Sequence, residues 1–110
     1  MNLEIRQKTK GNVHLLYLSG EVDAFTAPKL REVLIPLTEE SSMKVIVDLT
    51  DVDYIDSTGL GIFIGALKST HNYNSHIQLQ GLSNRLQRLF KITGLDEVID
   101  IEDQEKEEMQ

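Results

Sequence analysis

The stretch that decides the fold is residues 45–61, VIVDLTDVDYIDSTGLG, which joins the most strand-like part of the chain to the most helix-like part. It opens with the β-branched run Val45-Ile46-Val47, and a run without alternation is typical of a central strand covered on both faces. Apolar residues then recur at helical spacing and predict a helix over residues 57–70. The predicted core face of that helix consists of Leu60, Phe63, Ile64 and Leu67.

Upstream of this stretch, the sequence predicts an antiparallel hairpin followed by a helix. Residues 3–6 and 13–17 alternate apolar and polar side chains on either side of the turn residues Gly11-Asn12. Gly20 is expected to end the second strand. Thr26 is suited to cap the next helix, and Pro36 is expected to kink or end that helix near Ile35.

Downstream, residues 77–79 alternate as a strand, and residues 84–93 predict a helix capped by Ser83 or Asn84. Residues 98–101 are expected to form a final edge strand. Strands that alternate with helices imply crossover connections and parallel pairing. The predicted fold class is therefore α/β, a single domain with a mixed β-sheet, central parallel strands and helices packed against it.

Composition narrows the function classes. The chain has 110 residues, no cysteine and a net charge of −7, from 18 acidic and 11 basic residues. Such a surface repels phosphate backbones, so no direct nucleic-acid partner is expected. The sequence shows no secretory signal and no apolar stretch long enough to span a membrane, so a cytoplasmic protein with no membrane partner is expected. Residues 1–101 are expected to form the domain and residues 102–110 an acidic, disordered tail.

Ser57 is the residue that draws attention. It stands where the predicted strand meets the predicted helix, so the residue pattern first suggests a helix cap. Gly59 and Gly61, however, fall inside the first turns, where each costs up to about 1 kcal/mol relative to Ala. We expect these glycines to leave the backbone uncovered, so that another surface can approach Ser57. A helix N-terminus also tolerates an anion such as a phosphate.

The string Asp56-Ser57-Thr58-Gly59-Leu60-Gly61 resembles the STAS domains of bacterial anti-sigma factor antagonists, and the general stress-response branch of Gram-positive bacteria is the most similar. The segment Gly20-Glu21-Val22-Asp23, followed by Leu30, resembles a second segment of the family. The resemblance covers residues 2–101 and includes the basic helix over residues 84–93.

The resemblance implies a regulatory binding protein and not an enzyme, with no catalytic residue, cofactor or metal. The unphosphorylated protein would bind an anti-sigma factor that is also a serine kinase, and thereby free a sigma factor for stress-response transcription. Phosphorylation of Ser57 would abolish the binding, and a PP2C-like serine phosphatase would restore it. The expected environment of the phosphosite consists of Asp23, Asp56, Thr58, Gly59, Leu60 and Gly61, with Asp23 close to Ser57. Whether Thr58 is a second phosphosite stays open.

Two other functions fit the sequence less well. A response-regulator-like domain would carry its phosphoryl group on Asp48 or Asp56, but it needs a nearby Lys, and none follows Ser57 before Lys68. A hydrolase with Ser57 as nucleophile lacks a histidine placed as general base. The acids from Asp51 onward do not fit an EF-hand calcium loop. That loop needs Gly at its sixth position and Glu at its twelfth, and these positions are Asp56 and Ile62 here.

Overall fold

The computed structural model describes residues 2–102, which form one sheet with three helices. The strands pair in the order β1-β2-β3-β4-β5. In chain order the elements are β1 (Leu3–Lys10), β2 (Val13–Val22), α1 (Ala27–Thr38), β3 (Lys44–Ile55), α2 (Ser57–Tyr73), β4 (His76–Gln80), α3 (Asn84–Ile92), a 3₁₀ turn (Leu95–Glu97) and β5 (Asp100–Ile101).

The pairing confirms the predicted topology. β1 and β2 form an antiparallel hairpin, in which Leu3 lies opposite Gly20 and Lys10 opposite Val13. β2, β3, β4 and β5 then pair in parallel, each connected to the next through a helix. The predicted edge strand is also present, although it is shorter than expected and covers only Asp100–Ile101.

The core lies on one face of this sheet. Along β3 the fully buried side chains are Val45, Val47 and Leu49, whereas the intervening Ile46 and Asp48 are only partly buried. The prediction that this strand is covered on both faces was therefore wrong. Burial along β3 alternates with a period of two, but the sequence does not show it. Ile46 lies on the less covered face and is nevertheless apolar, so the run Val45-Ile46-Val47 shows no alternation.

Two predicted boundaries were also wrong. β2 does not end at Gly20 but runs on to Val22, with an irregularity in its pairing to β3 between Gly20 and Glu21. Gly20 has φ of +119°, and a Cβ at this position would lie 2.0 Å from the carbonyl oxygen of Asn2, so only glycine fits.

The helix α1 likewise continues past Ile35 to Thr38, with Pro36 inside it. Pro36 removes one amide donor from the last turn of α1, and the carbonyl groups that the helix end leaves unpaired find donors locally. The Glu39 N–H donates to the carbonyl oxygen of Pro36 at 3.2 Å, and the Thr38 hydroxyl donates to that of Ile35 at 2.6 Å.

The helices α2 and α3 meet over the sheet through Phe63 and Phe90. Both rings are buried, with centroids 6.2 Å apart and planes at 64°, an edge-to-face arrangement. Ile64 was expected in the same core face, but its side chain is 37% exposed. Gly59, Ile62 and Ala66, which the sequence did not assign to the core face, are buried instead.

Among residues 2–102, no helix is long and apolar enough to cross a membrane. The predicted acidic tail lies outside the described residues except for Glu102, whose N–H donates to the carbonyl oxygen of Leu79 at 2.9 Å. The domain boundary at residue 101 therefore stays a prediction.

Phe63→Ala is expected to lower the free energy of unfolding by about 3–5 kcal/mol, because it leaves a cavity beside Phe90. The matched control is Ile64→Ala on the same helix, which is expected to cost less than about 1.5 kcal/mol, since this side chain is partly in solvent. Urea unfolding at equilibrium measures both. Equal losses for the two variants would contradict the assignment of the core face.

Candidate functional site

The start of α2 is capped by Asp56 and not by Ser57. Asp56 has extended backbone angles, and its Oδ1 accepts a hydrogen bond from the Gly59 N–H at 2.9 Å. Its carbonyl oxygen accepts the first helical bond, from the Leu60 N–H at 2.9 Å. The prediction that Ser57 is the N-cap was therefore wrong by one residue. Aspartate and serine both favour this position, and only the backbone geometry distinguishes them.

Ser57 is consequently free for another role. It is the first residue of α2, its side chain is exposed, and its hydroxyl has no hydrogen-bond partner among residues 2–102. Thr58, the next residue, is also exposed. The Ser57 oxygen is therefore accessible from solvent without loss of any hydrogen bond that holds the fold together.

Asp56 also fastens the loop between β2 and α1 to the start of α2. Its Oδ2 accepts from the Ala24 N–H at 3.2 Å, and its own N–H donates to the carbonyl oxygen of Val22 at 3.0 Å. One side chain thus fixes two segments that are more than thirty residues apart in the chain. The loop and the helix start form a single surface at the carboxyl ends of β2 and β3.

Asp23 orders that loop from within. Its Oδ1 accepts from the N–H groups of Phe25 and Thr26, both at 3.0 Å. Thr26 occupies the cap position of α1 as predicted, but its hydroxyl donates to the carbonyl oxygen of Glu21 at 2.8 Å and makes no cap bond. Asp23 makes no hydrogen bond to Ser57; the two are linked through Ala24 and Asp56.

These bonds also shift a protonation equilibrium. The hydrogen bond from the Thr26 N–H, helped by those from the Thr26 hydroxyl and the Phe25 N–H, holds the pKa of Asp23 below its ordinary value of 3.8 against the opposing effect of burial. A lowered pKa in the folded state favours folding above pH ~3.8, and this contribution is lost as the pH falls through the lowered value.

The two glycines of the motif have different roles. Gly59 is buried, and a Cβ there would lie 2.6 Å from the carbonyl oxygen of Val22, so glycine lets α2 pack directly against the end of β2. Gly61 is exposed and has open space around it. Leu60 is buried in the core. Gly59 and Leu60 therefore position the helix start through buried contacts. Of the two glycines, only Gly61 leaves the backbone accessible as expected.

Sequence reasoning missed two exposed aromatic side chains at the same end of the molecule. Phe25, in the loop that Asp56 fastens, is 80% exposed, and Tyr54, two residues before Asp56, is 47% exposed. Phe25 belongs to no periodic apolar stripe and therefore gave no signal. Its position between Asp23 and Thr26, outside any predicted element, was the one available clue.

Asp48, one of the two candidate phosphoryl acceptors, is held by hydrogen bonds on the sheet. Burial raises the pKa of Asp48, but hydrogen bonds from the Thr50 side chain and N–H and from Gln80 outweigh it and lower the pKa overall. The Gln80 Nε2 donates to Asp48 Oδ2 at 2.9 Å, so this carboxylate is engaged on the sheet. Among residues 2–102, no group of three or more histidines and acids could hold a metal ion.

The histidines lie far from Ser57. His14 and His76 stand at the amino ends of β2 and β4, whereas Ser57 follows the carboxyl end of the parallel strand β3. His71 is in the last turn of α2, about 21 Å along the axis at ~1.5 Å per residue. No imidazole is placed to activate the Ser57 hydroxyl as a nucleophile.

Because Asp56 caps α2 and Ser57 makes no side-chain hydrogen bond within residues 2–102, substitutions at these two positions are expected to differ in their effect on stability. Asp56→Ala removes the cap and the link to Ala24, and is expected to lower the free energy of unfolding by about 1–2 kcal/mol. Ser57→Ala removes no bond, and is expected to change it by less than about 0.5 kcal/mol. Thermal and urea unfolding measure both, with Thr58→Ala as the exposed neighbour control. If Ser57→Ala lowered the free energy of unfolding more than Asp56→Ala, Ser57 and not Asp56 would be the N-cap.

Comparison with known proteins places this geometry in a family. The sequence model of the STAS domain matches residues 4–108. The chain is 45% identical over 108 residues to the anti-sigma-B factor antagonist of Listeria monocytogenes, covering 97% of this chain and 95% of that protein. That relative is named as a regulator and not as an enzyme, in agreement with the sequence-based expectation.

Two solved structures have the same fold. A candidate anti-sigma factor antagonist from Thermotoga maritima superposes with a TM-score of 0.83 at 24% identity, covering 96% of this chain and 91% of that one. The Bacillus cell fate determinant SpoIIAA in its phosphorylated form superposes with a TM-score of 0.70 at 16% identity, covering 94% and 95%. The fold, the matched domain and the identity to the Listeria protein together show that this chain belongs to the STAS-domain family of anti-sigma factor antagonists.

Proposed function

We propose that this protein binds an anti-sigma factor through the surface around Ser57 and loses that binding when Ser57 is phosphorylated. The observation that carries the proposal is the free, exposed hydroxyl of Ser57 on a helix that Asp56 already caps. The name of the Listeria relative supports an anti-sigma-B factor as the partner, and hence a stress-response sigma factor as the one released in the cytoplasm.

The reaction at Ser57 is supplied by the partner. The Ser57 oxygen attacks the γ-phosphorus of ATP, which the anti-sigma factor holds with Mg²⁺ as a serine kinase; ADP leaves, and the hydroxyl proton passes to a base of the kinase. A PP2C-like serine phosphatase returns the hydroxyl by hydrolysis. This chain contributes the acceptor and its presentation, which requires a rigid helix start and an accessible oxygen.

Charge gives the switch its direction. The segments that flank Ser57, residues 20–26 and 51–56, contain five acids and neither Lys nor Arg, and no basic residue occurs anywhere in residues 45–67. A phosphate adds nearly two negative charges that this surface does not neutralise. An interface fitted to a neutral hydroxyl then buries an uncompensated charge at a cost of about 3–5 kcal/mol, which corresponds to an affinity loss of roughly 10²–10⁴-fold.

Phe25 supplies the apolar contact that the acidic surface lacks. Aromatic side chains that project from a surface are frequent centres of binding energy in protein interfaces. The loop that carries Phe25 is held by Asp23 and Asp56, so the ring is presented with little conformational freedom to lose. We therefore place Phe25 and Ser57 in one binding surface, with the exposed Thr58 and Gly61 beside them.

Ser57→Asp is expected to weaken binding to the purified anti-sigma factor by about 10²-fold, because it places one unpaired charge in the interface. Ser57→Ala is expected to keep the affinity and to abolish phosphoryl transfer. Isothermal calorimetry measures the affinity, and intact-mass analysis with Mg-ATP measures the added phosphoryl group. Equal affinities for folded Ser57→Asp and Ser57→Ala would contradict the charge switch. A phosphoryl group added to Ser57→Ala would show that the phosphosite is another residue.

Phe25→Ala is expected to weaken the same complex by about 2 kcal/mol, roughly 30-fold, with the free energy of unfolding unchanged within about 0.5 kcal/mol. The matched control is Ile92→Ala on α3, which truncates an apolar side chain that is 77% exposed. The control is expected to bind like the unaltered protein. A similar loss for both variants, or none for Phe25→Ala, would remove Phe25 from the binding surface.

A further inference from the structure

Within residues 2–102, one face of the sheet carries no helix. The core cluster lies on the other face, where α1, α2 and α3 cover alternate residues of the strands. The uncovered face has an apolar centre on β2 and β3, formed by Leu15, Tyr17 and Ile46, each of them partly buried. We call this surface the open sheet face; its charged members on β1 and β3 are Glu4, Arg6, Lys8, Lys10, Lys44 and Asp48. An apolar centre framed by charges is the usual anatomy of a protein interface.

The charges on β1 are divided between its two ends. Lys10 ends the strand, Glu4 lies near its start, and the midpoint between them is Gln7, which pairs with Leu16 of β2. Both charged side chains are exposed, and neither forms an ion pair within residues 2–102. The strand therefore presents a free cation and a free acid about 20 Å apart, at ~3.4 Å per residue.

The charges on β3 follow the same order along the sheet. Lys44 starts this strand, and the midpoint between Lys44 and Asp48 is Ile46, which pairs with Leu15 of β2. Because Leu15 and Leu16 are neighbours, the midpoints on β1 and β3 lie on one line across the strands to within one residue. A rotation by 180° about this line lays a second sheet face to face on the first and puts each of these cations over the acid of the same strand.

We propose that the open sheet face binds the open sheet face of a second copy of this chain, in a two-fold dimer with Leu15 and Ile46 at its centre. Sheets packed in this way keep their strands nearly aligned and lie ~10 Å apart, so that facing side chains interdigitate. Apolar burial at the centre supplies the attraction, and the complementary charges fix the orientation. The helices lie on the outer faces of such a dimer, so the contact leaves Ser57 accessible and is independent of the proposed function.

The size of the face and its edges make this a weak dimer. Eight residues of β1 span about 26 Å and four strands about 19 Å, which gives roughly 500 Å² per copy and roughly 1,000 Å² in total, the low end for a specific interface. The rotation also brings like charges together at the edges, Arg6 over Lys8 and Asp100 over its own counterpart. Long side chains on an edge strand turn into solvent, and Asp100 is held by His76 at 3.0 Å.

Analytical ultracentrifugation of the full-length protein tests the dimer between about 5 µM and about 500 µM, a range chosen for a weak interface. The unaltered protein is expected to show a monomer–dimer equilibrium. Ile46→Lys places two like charges beside the two-fold axis and is expected to stay monomeric, with circular dichroism as the check on folding. An unaltered protein that stays monomeric, or a folded Ile46→Lys variant that dimerises equally well, would overturn the proposal.

A charge swap on β1 tests the pairing itself. Lys10→Glu sets acid against acid at both ends of the dimer and is expected to raise its dissociation constant about 10-fold. Glu4→Lys/Lys10→Glu restores opposite charges across the two-fold axis and is expected to recover the affinity of the unaltered protein. The control Lys91→Glu makes the same change of net charge on α3 and is expected to leave the dissociation constant unchanged. Failure of the swap to recover affinity would contradict the two-fold arrangement.

The chain lacks cysteine, so Asn12→Cys carries a single nitroxide in the turn between β1 and β2. Labelled ¹⁴N protein is mixed with unaltered ¹⁵N protein, and paramagnetic broadening of the amides reports where the two copies meet. Broadening is expected at residues 3–5 and 18–20, because the rotation reverses the strand direction. Broadening confined to residues 9–13 or to α2 and α3 would place the contact elsewhere and overturn the proposal.

Discussion

The carboxylate of Asp56 holds the amide of Gly59 with one oxygen and the amide of Ala24 with the other. The first bond starts α2, and the second fastens the loop after β2 to that helix start. The order of the strands brings these segments together, but the pairing of β2 with β3 is irregular between Tyr17 and Ser19 and again between Gly20 and Glu21. Near the ends of the strands, Asp56 and the close contact of Gly59 with Val22 therefore determine how the loop lies against the helix.

This arrangement separates the cap of α2 from the exposed hydroxyl next to it. Asp56 performs the capping, and Ser57 is left with a hydroxyl that the fold does not use. A protein whose switch residue also capped a helix would change its stability with every cycle of modification. The hydrogen bonds that cap α2 belong to Asp56, so the modification proposed for Ser57 would break none of them.

Sequence reasoning reached the strand and helix order, the parallel centre and the position of Ser57, because these depend on local periodicity and on a specific string. It did not distinguish Asp56 from Ser57 as the cap, since both residue types suit the position and only the backbone angles decide. The role of Gly59 depends on Val22, 37 positions earlier, and was beyond any local pattern. Phe25 was missed because an exposed side chain in a loop leaves no periodicity. The continuation of β2 from Gly20 to Val22 was missed because a glycine can either end a strand or permit an irregularity within it.

The charges around Ser57 support the proposed switch without any refolding of the domain. Residues 20–26 and 51–56, which flank Ser57, contain five acids and no cation, whereas six of the eleven basic residues of the chain lie on β1 and α3. Under the proposed function, a phosphate on Ser57 would find no cation in residues 20–26 and 51–56, the segments that flank it. Its charge would then be met by the partner and not by these segments.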